Sequence, residues 1–279
     1  MHSPLNYDLH CHSTASDGLL APAEVVRRAA ENGVEILALT DHDEICGLAE
    51  ARTQAAASGV RFINGVEVSI GWGGISIHVV GLNVDPDNLQ LQQGLHSIRM
   101  GRTERAKRMA QDFDRVGIPG SLEGAYAYAD NPNLIGRTHF ARFLVERHYV
   151  SDVRNAFMHY LVSGKPGYVP HQWATLQEGL GYIQASGGMA VLAHPGRYKL
   201  TRAEMRRFIG EFKDCGGVGI EVVTSSHTPE QYLEYAIIAR EFGLVASRGS
   251  DFHGPGESRV ELGRMPNLAA DLKPVWHAW

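Results

Sequence analysis

The stretch YDLHCHSTASDG sets Asp8, His10 and His12 at alternate positions with apolar Leu9 and Cys11 between them, and Asp17 follows closely. In an extended segment alternate side chains share a face, so the three polar groups line one side while Leu9 and Cys11 face a core. Further along, TDHD carries Asp41, His42 and Asp43, NGVEV carries Glu67, ISIHVV carries His78, AHPG carries His194, and SDFH carries Asp251 and His253. Imidazoles and carboxylates in such number, gathered in one place, repel or stay unsatisfied unless cations hold them, because buried charges need partners. A tetrahedral zinc takes three or four protein ligands, so about nine candidates imply two or three ions. A donor set of His and carboxylate without cysteine suits Mn²⁺, Fe²⁺ or Zn²⁺ better than the all-oxygen ions Ca²⁺ and Mg²⁺. Such ions, closely spaced, can share a hydroxide nucleophile and clamp the oxygens of a phosphoryl displacement.

Elements that would deliver these groups to one place are readable on either side of them. Short apolar or β-branched runs at residues 7–12, 36–40, 61–69, 75–81, 189–194, 219–223 and 244–249 read as seven strands. Between them lie helical segments with legible ends: Pro22 opens one and Gly33 closes it, a second from Leu48 closes at Gly59, and Thr201 and Thr228-Pro229 start two more. Strands joined by helical crossovers predict an α/β fold with parallel strands, closed as a distorted barrel so that no edge is left open. In β/α barrels the chemistry gathers at the carboxyl ends of the strands, and six of the seven expected strands bring His, Asp or Glu to that rim.

One block breaks the alternation. Residues 95–170 are mostly helical in pattern and predict an all-helical insertion, a substrate cap, between a first barrel part at 1–94 and a second at 171–279. Arg99, Arg102, Arg105 and Arg108 recur every three residues along its first helix and form a drifting stripe on one flank. If the insertion covers the metal rim, Arg102 and Arg105 are placed to grip a phosphate, Arg137 adds an anion contact beside a helix start, and Arg197 sits three residues after His194 on a rim loop. His139 and His171 are further candidates to face a substrate, and Tyr126, Tyr128, Phe140 and Tyr168 to stack a base.

Composition narrows the class. The chain has 279 residues, is 44% hydrophobic and carries a net charge of −5, which allows a sizeable core and argues against coating long duplex nucleic acid through a global basic field. Of its 26 basic residues only five are Lys, so planar guanidinium forks dominate the cations. Its three cysteines are scattered, which predicts no disulfide framework. No run of about 18 apolar residues and no leader pattern occur, which gives the expectation of a cytoplasmic protein without a membrane partner.

Taken together, DLHCHSTASDG, LALTDHD, the GVE at residues 65–67, His78, LAHPG and GSDFH resemble, in order, the motifs of the PHP family of polymerase-associated domains and histidinol phosphatases. The resemblance implies a distorted (β/α)7 barrel and a trinuclear site, most expectedly of Mn²⁺. It places His10, His12, Glu67 and Asp251 on one ion, Asp17, His42 and His253 on a second, and His78 with His194 on the third, Glu67 bridging. It further implies a metal-bridging hydroxide held by Glu67 and Asp251, proton transfer by His194 or Asp43, and Asp8 orienting a ligand histidine. Within the insertion, GRTHFARFLV and FMHYLVSGKPGYVP are similar to the bacterial nucleoside 3′,5′-bisphosphate phosphatase and RNase AM type. That likeness implies removal of a 3′-phosphate from nucleoside 3′,5′-bisphosphates and 5′ to 3′ cleavage of short 5′-phosphorylated RNA. Other readings are a histidinol-phosphate phosphatase, which has no need of an Arg-lined insertion, an amidohydrolase, and a non-catalytic RNA-binding module. Many amidohydrolases bridge their metals with a modified Lys at a strand end, and none of the five Lys ends an expected strand. No protein partner is implied.

Overall fold

The computed structural model describes residues 5–170 and 173–278, so His171 lies outside the described residues. The strands are β1 (Tyr7–Asp8), β2 (Ile36–Leu39), β3 (Arg61–Trp72), β4 (Ile75–Leu82), β5 (Ala174–Thr175), β6 (Met189–Leu192), β7 (Gly219–Thr224) and β8 (Val245–Gly249). They form one mixed sheet in the order β1-β2-β3-β4-β6-β7-β8, with β5 added to β3. Backbone hydrogen bonds draw the two ends of this sheet together: Leu9 donates to Arg248 (3.1 Å), Asp251 to His10 (2.8 Å) and His12 to Phe252 (2.8 Å). The sheet is thereby nearly closed into a barrel. Residues 9–12 stay extended past the two-residue β1, and the alternation seen in the sequence holds, with Leu9 and Cys11 fully buried.

The direction of β4 departs from the all-parallel expectation. It pairs antiparallel with both β3 and β6. The cause is the pair Gly73 and Gly74, both at positive φ (57° and 80°), which lets β3 reverse in a two-residue turn instead of through a helix. The reversal still keeps His78 at the working rim, because it pairs with Ser69, two residues beyond Glu67 on β3.

Helices α1 (Pro22–Glu31) and α2 (Leu48–Ser58) cover the first strands. Next comes α3 (Leu89–Arg115), which starts before the expected boundary at residue 95 and serves two cores. Its Leu91, Leu95 and Ile98 pack with the barrel's Val68, Ile70 and Val79. Its Ala106, Met109, Ala110 and Phe113 pack with Phe140, Phe143 and Leu144, the core of a helical cap that includes α4 (Ser121–Tyr126), α5 (Arg137–Glu146) and α6 (Val153–Ala156). The chain then returns to the barrel through α7 (Leu176–Ala185), α8 (Arg202–Asp214) and α9 (Pro229–Phe242). Thr201 and Thr228 cap α8 and α9, each accepting from the backbone three residues on. No helix among the described residues is long and apolar enough to cross a membrane.

Candidate active site

The nine expected ligands meet in one cluster at the barrel rim. Glu67 is fully buried at its centre, with Oε1 lying 2.9 Å from His194 Nε2, 3.0 Å from His78 Nδ1 and 3.4 Å from His10 Nε2. Its Oε2 lies 2.8 Å from His42 Nδ1 and 3.4 Å from His12 Nε2. Asp251 Oδ1 stands 3.3 Å from His12 and 3.5 Å from His10, and Asp17 Oδ1 stands 3.4 Å from His253 and 3.8 Å from His42. Four overlapping groups of donor atoms, each within 4.8 Å, can hold metal ions: His12, Asp17, His42 and His253; His10, Glu67 and His194; His10, His12 and Asp251; His42, Glu67 and His78. His12 falls in the Asp17 group as well as in that of Asp251, and His78 and His194 both lie against Glu67 Oε1.

These residues fit several metal ions on an observation independent of spacing. Buried His12 Nδ1, His42 Nδ1, His194 Nδ1, Asp17 Oδ1, Glu67 Oε2 and Asp251 Oδ1 all lack a hydrogen-bond partner. His42 Nδ1 and Glu67 Oε2 are 2.8 Å apart and still do not align as donor and acceptor. Buried polar atoms left so are costly, whereas lone pairs converging on a cation are not.

Electrostatics point the same way. Burial would raise the Glu67 carboxyl, yet His42, His78 and His10 outweigh it and hold Glu67 well below the usual carboxylate range. Asp17 and Asp251 are likewise held low against burial, by His253 and His42 and by His10 respectively. Burial, helped by the nearby Arg197 charge, drops His194 to about 3, so its ring stays neutral. A neutral ring offers a lone pair, which can meet a cation or accept a proton. Asp43 Oδ1 accepts from the Ser69 amide (2.7 Å) and its Oδ2 binds Arg102, so both oxygens are engaged. Asp43, His194 and Asp251 all have φ between 29° and 53°, a strained backbone that concentrates at this rim.

Two acids acquire positioning roles. Asp8 binds the amides of Ser250 (2.8 Å) and Gly263 (2.9 Å), not a histidine, and so fixes the backbone that carries Asp251. Histidine orientation falls to Glu221 on β7, which the sequence reading passed over: its Oε1 is 2.8 Å from His10 Nδ1 and its Oε2 accepts from the His194 amide at 2.6 Å. The signal was present as a lone acid inside the apolar run GIEVV, on the one expected strand that had been given no rim residue.

The cap faces the cluster with cations. A cavity of about 80 Å³ is lined below by Asp17, His42, His78 and His253 and above by Arg102, Arg105 and Arg137, with Arg197 beside them. Arg102 is tied to Asp43 and Arg197 to Asp251 (2.9 Å). Buried Arg105 has no carboxylate partner among the described residues and donates only to the Val169 carbonyl (2.8 Å). Burial first, and then the charges of Arg137 and Arg102, lower its pKa to about 9. Arg137 is lowered for the same reasons, burial and then the charges of Arg197 and Arg102; among the described residues its side chain donates to the Leu161 carbonyl and lies over the Phe157 ring. Guanidiniums crowded without acids form an anion site. Thr138 donates to Asp17 Oδ2 (2.8 Å) and Arg142 to the Asp17 carbonyl (2.6 Å), so α5 both roofs the cavity and orients a floor carboxylate. His139 is buried, not facing the cavity; its Nδ1 accepts from the Gly136 amide, and burial lowers it to about 4. Of the four aromatic candidates, Phe140 is core, Tyr126 and Tyr128 pack on the cap core, and Tyr168 lines a groove beside the cavity.

Comparison with known proteins agrees with this geometry. The chain is 50% identical over 271 residues to a 3′,5′-nucleoside bisphosphate phosphatase of Chromobacterium violaceum, covering 97% of this chain and 95% of that one. It is 42% identical over 275 residues to the 5′-3′ exoribonuclease Rnm of Escherichia coli, covering 98% and 93%. A solved Chromobacterium violaceum structure, described as an amidohydrolase with bound sulfate and no metal, superposes with a TM-score of 0.95 at 49% identity, covering 98% of this chain and 95% of that one. The family model of the PHP domain matches residues 8–225, and with that rim and these relatives the chain belongs to the PHP-domain family.

Proposed function

We propose that this metal-dependent phosphoesterase hydrolyses the 3′-phosphate of nucleoside 3′,5′-bisphosphates, giving the nucleoside 5′-monophosphate, and by the same chemistry releases mononucleotides from the 5′ end of short 5′-phosphorylated RNA. The observation that carries the reading is the pair of anion sites facing each other across one cavity, a metal-capable floor and a roof of guanidiniums short of acids. A 3′,5′-bisphosphate presents two phosphates on one ribose. A 5′-phosphorylated RNA presents the same two groups, the second as a diester.

His10, His12, Asp17, His42, Glu67, His78, His194, Asp251 and His253 would hold the ions, Mn²⁺ being the expected species and Fe²⁺ or Zn²⁺ the alternatives. When bound, such ions supply an activated water and neutralise charge on the phosphoryl oxygens. The chain's own groups do the rest. Glu67, reaching five imidazoles with its two oxygens, fixes the spacing of the floor, and Arg105 and Arg137 seat the phosphate that is not cleaved. Water adds to phosphorus, the bond to O3′ breaks, and the ribose oxygen takes a proton. Amide hydrolysis finds less support, since no Lys lines the cavity.

The test is phosphate release by Mn²⁺-loaded protein from adenosine 3′,5′-bisphosphate, adenosine 3′-monophosphate and histidinol phosphate, together with mononucleotide release from a 5′-phosphorylated trinucleotide RNA. The bisphosphate is expected to lead. Arg105→Ala with Arg137→Ala should cost about 10- to 100-fold in kcat/KM on the bisphosphate, the scale of charge-assisted hydrogen bonds, and leave the 3′-monophosphate nearly unchanged. Preference for histidinol phosphate, or equal losses on both adenosine substrates, would overturn the reading.

A further inference from the structure

The cavity opens into a groove of about 610 Å³ that cleavage at one phosphate does not require. One wall is the β3–β4 turn, where Gly71, Gly73 and Gly74 present backbone only; Tyr168 and Trp173, the latter packed on the barrel core, line it too. Arg197, Tyr198 and Lys199 line it as well, on the loop that follows His194. The cations along this groove are committed except one. Arg105 and Arg137 belong to the roof, and Arg197 is held by Asp251. Lys199 is exposed and makes no hydrogen bond or ion pair among the described residues.

We infer that Lys199 is a specificity residue for oligonucleotides, meeting the backbone phosphate that follows the one being cleaved. The inference rests on the bisphosphate and RNA reading above. Floor and roof account for the two phosphates of a bisphosphate, and equally for those of a 5′-phosphorylated dinucleotide. A third phosphate exists only from the trinucleotide onward, and it must leave the cavity through a passage wide enough for a nucleotide chain. The groove is that passage, and its β3–β4 wall is backbone at Gly71, Gly73 and Gly74 and side chain at Trp72, Ile75 and Ser76. A flexible ammonium, a strongly hydrated point charge, suits a backbone phosphate whose position varies with the bases, whereas a fixed guanidinium fork suits the terminal phosphate in the roof.

The experiment measures first-cleavage kcat/KM for adenosine 3′,5′-bisphosphate, a 5′-phosphorylated dinucleotide and a 5′-phosphorylated trinucleotide, using Mn²⁺-loaded wild type, Lys199→Ala and Lys199→Glu. Lys199→Ala should lower the trinucleotide value about two- to fivefold, as an exposed ion pair would. It should also flatten the dependence of its logarithm on log salt by about 0.7. Lys199→Glu should lower it further, and the bisphosphate and dinucleotide values should not move. Equal losses on all three substrates would place Lys199 elsewhere in recognition and overturn the inference. No loss on a trinucleotide that wild type cleaves would overturn it while leaving the RNA reading standing. Wild type that hydrolyses the bisphosphate and cleaves neither RNA would end both.

Discussion

At the scale of single residues, the cluster depends on groups that hold the donors as much as on the donors themselves. His10 has two ring nitrogens, and only the one not engaged by Glu221 faces the cluster, with Nε2 3.2 Å from His12 Nε2. A carboxylate accepting from Nδ1–H leaves the lone pair on Nε2, the tautomer a ligand needs. Glu221→Gln keeps the shape and removes the charge. Loss of such an outer partner typically costs 10- to 100-fold in metal affinity. The variant is expected to need about that much more Mn²⁺ for half-maximal activity and to approach the wild-type kcat at saturation. A titration superimposable on the wild type would show that the contact does not matter.

At the scale of elements, the cap is a sensitive part. In α4, a Cβ at Gly124 would fall 2.0 Å and 2.4 Å from ring atoms of Phe143, which is buried in α5. Overpacking of this kind costs about 1–3 kcal/mol, more than the roughly 1 kcal/mol that alanine gains over glycine in a helix. Gly124→Ala should therefore displace α5, whose first turn carries Arg137 and Thr138. The expected outcome is a raised KM for the bisphosphate with metal content unchanged; an unaltered KM would mean that the cap absorbs the change. The elements also show what the sequence made legible. Each rim motif lies in, ends or follows an apolar run, so the sequence alone gathers the nine candidate ligands in one cluster. The sharing of Glu67 was less legible, because its two oxygens reach five rings across the barrel that only the folded chain brings together. The direction of β4 was written locally in Gly73-Gly74, yet the surrounding helical crossovers suggested parallel strands. The start of α3 at Leu89 was hidden because its first turns bury residues in the barrel while its later turns bury residues in the cap, so no single periodic face runs along it.

At the scale of the whole molecule, α3 ties barrel and cap into one unit, since unfolding either core exposes half of a continuous helix. Acid should therefore act on both through a single transition. His139 in the cap and His227 in the barrel, neither among the candidate ligands, are each lowered by burial from 6.5 to about 4. Between those values the unfolded chain binds protons that the folded chain refuses, so stability falls as pH falls through that window, by at most about 1.4 kcal/mol per pH unit for each group. His10 opposes this slope around and above 6.5, and the buried acids Asp8, Asp41 and Glu221, raised by burial, oppose it above the ordinary carboxylate range. His10 is raised well above its ordinary value despite burial, by Glu221, Glu67 and Asp251, so it is protonated in both states below 6.5 and contributes only to losses at higher pH. The lowered carboxyls Asp17, Glu67 and Asp251 add their losses only as pH falls below the ordinary carboxylate range. His227 accepts from the Gly196 amide at 2.9 Å and engages the Val222 carbonyl at 3.1 Å, a donor and acceptor pair that glutamine can imitate without titrating. In chelator, the wild type should melt in one transition, and its melting temperature relative to that of His227→Gln should fall as pH is lowered from 6.5 toward 5. Two resolved transitions would show that α3 does not couple the cores, and identical slopes in the two proteins would show that the buried imidazole of His227 is not a source of the acid lability.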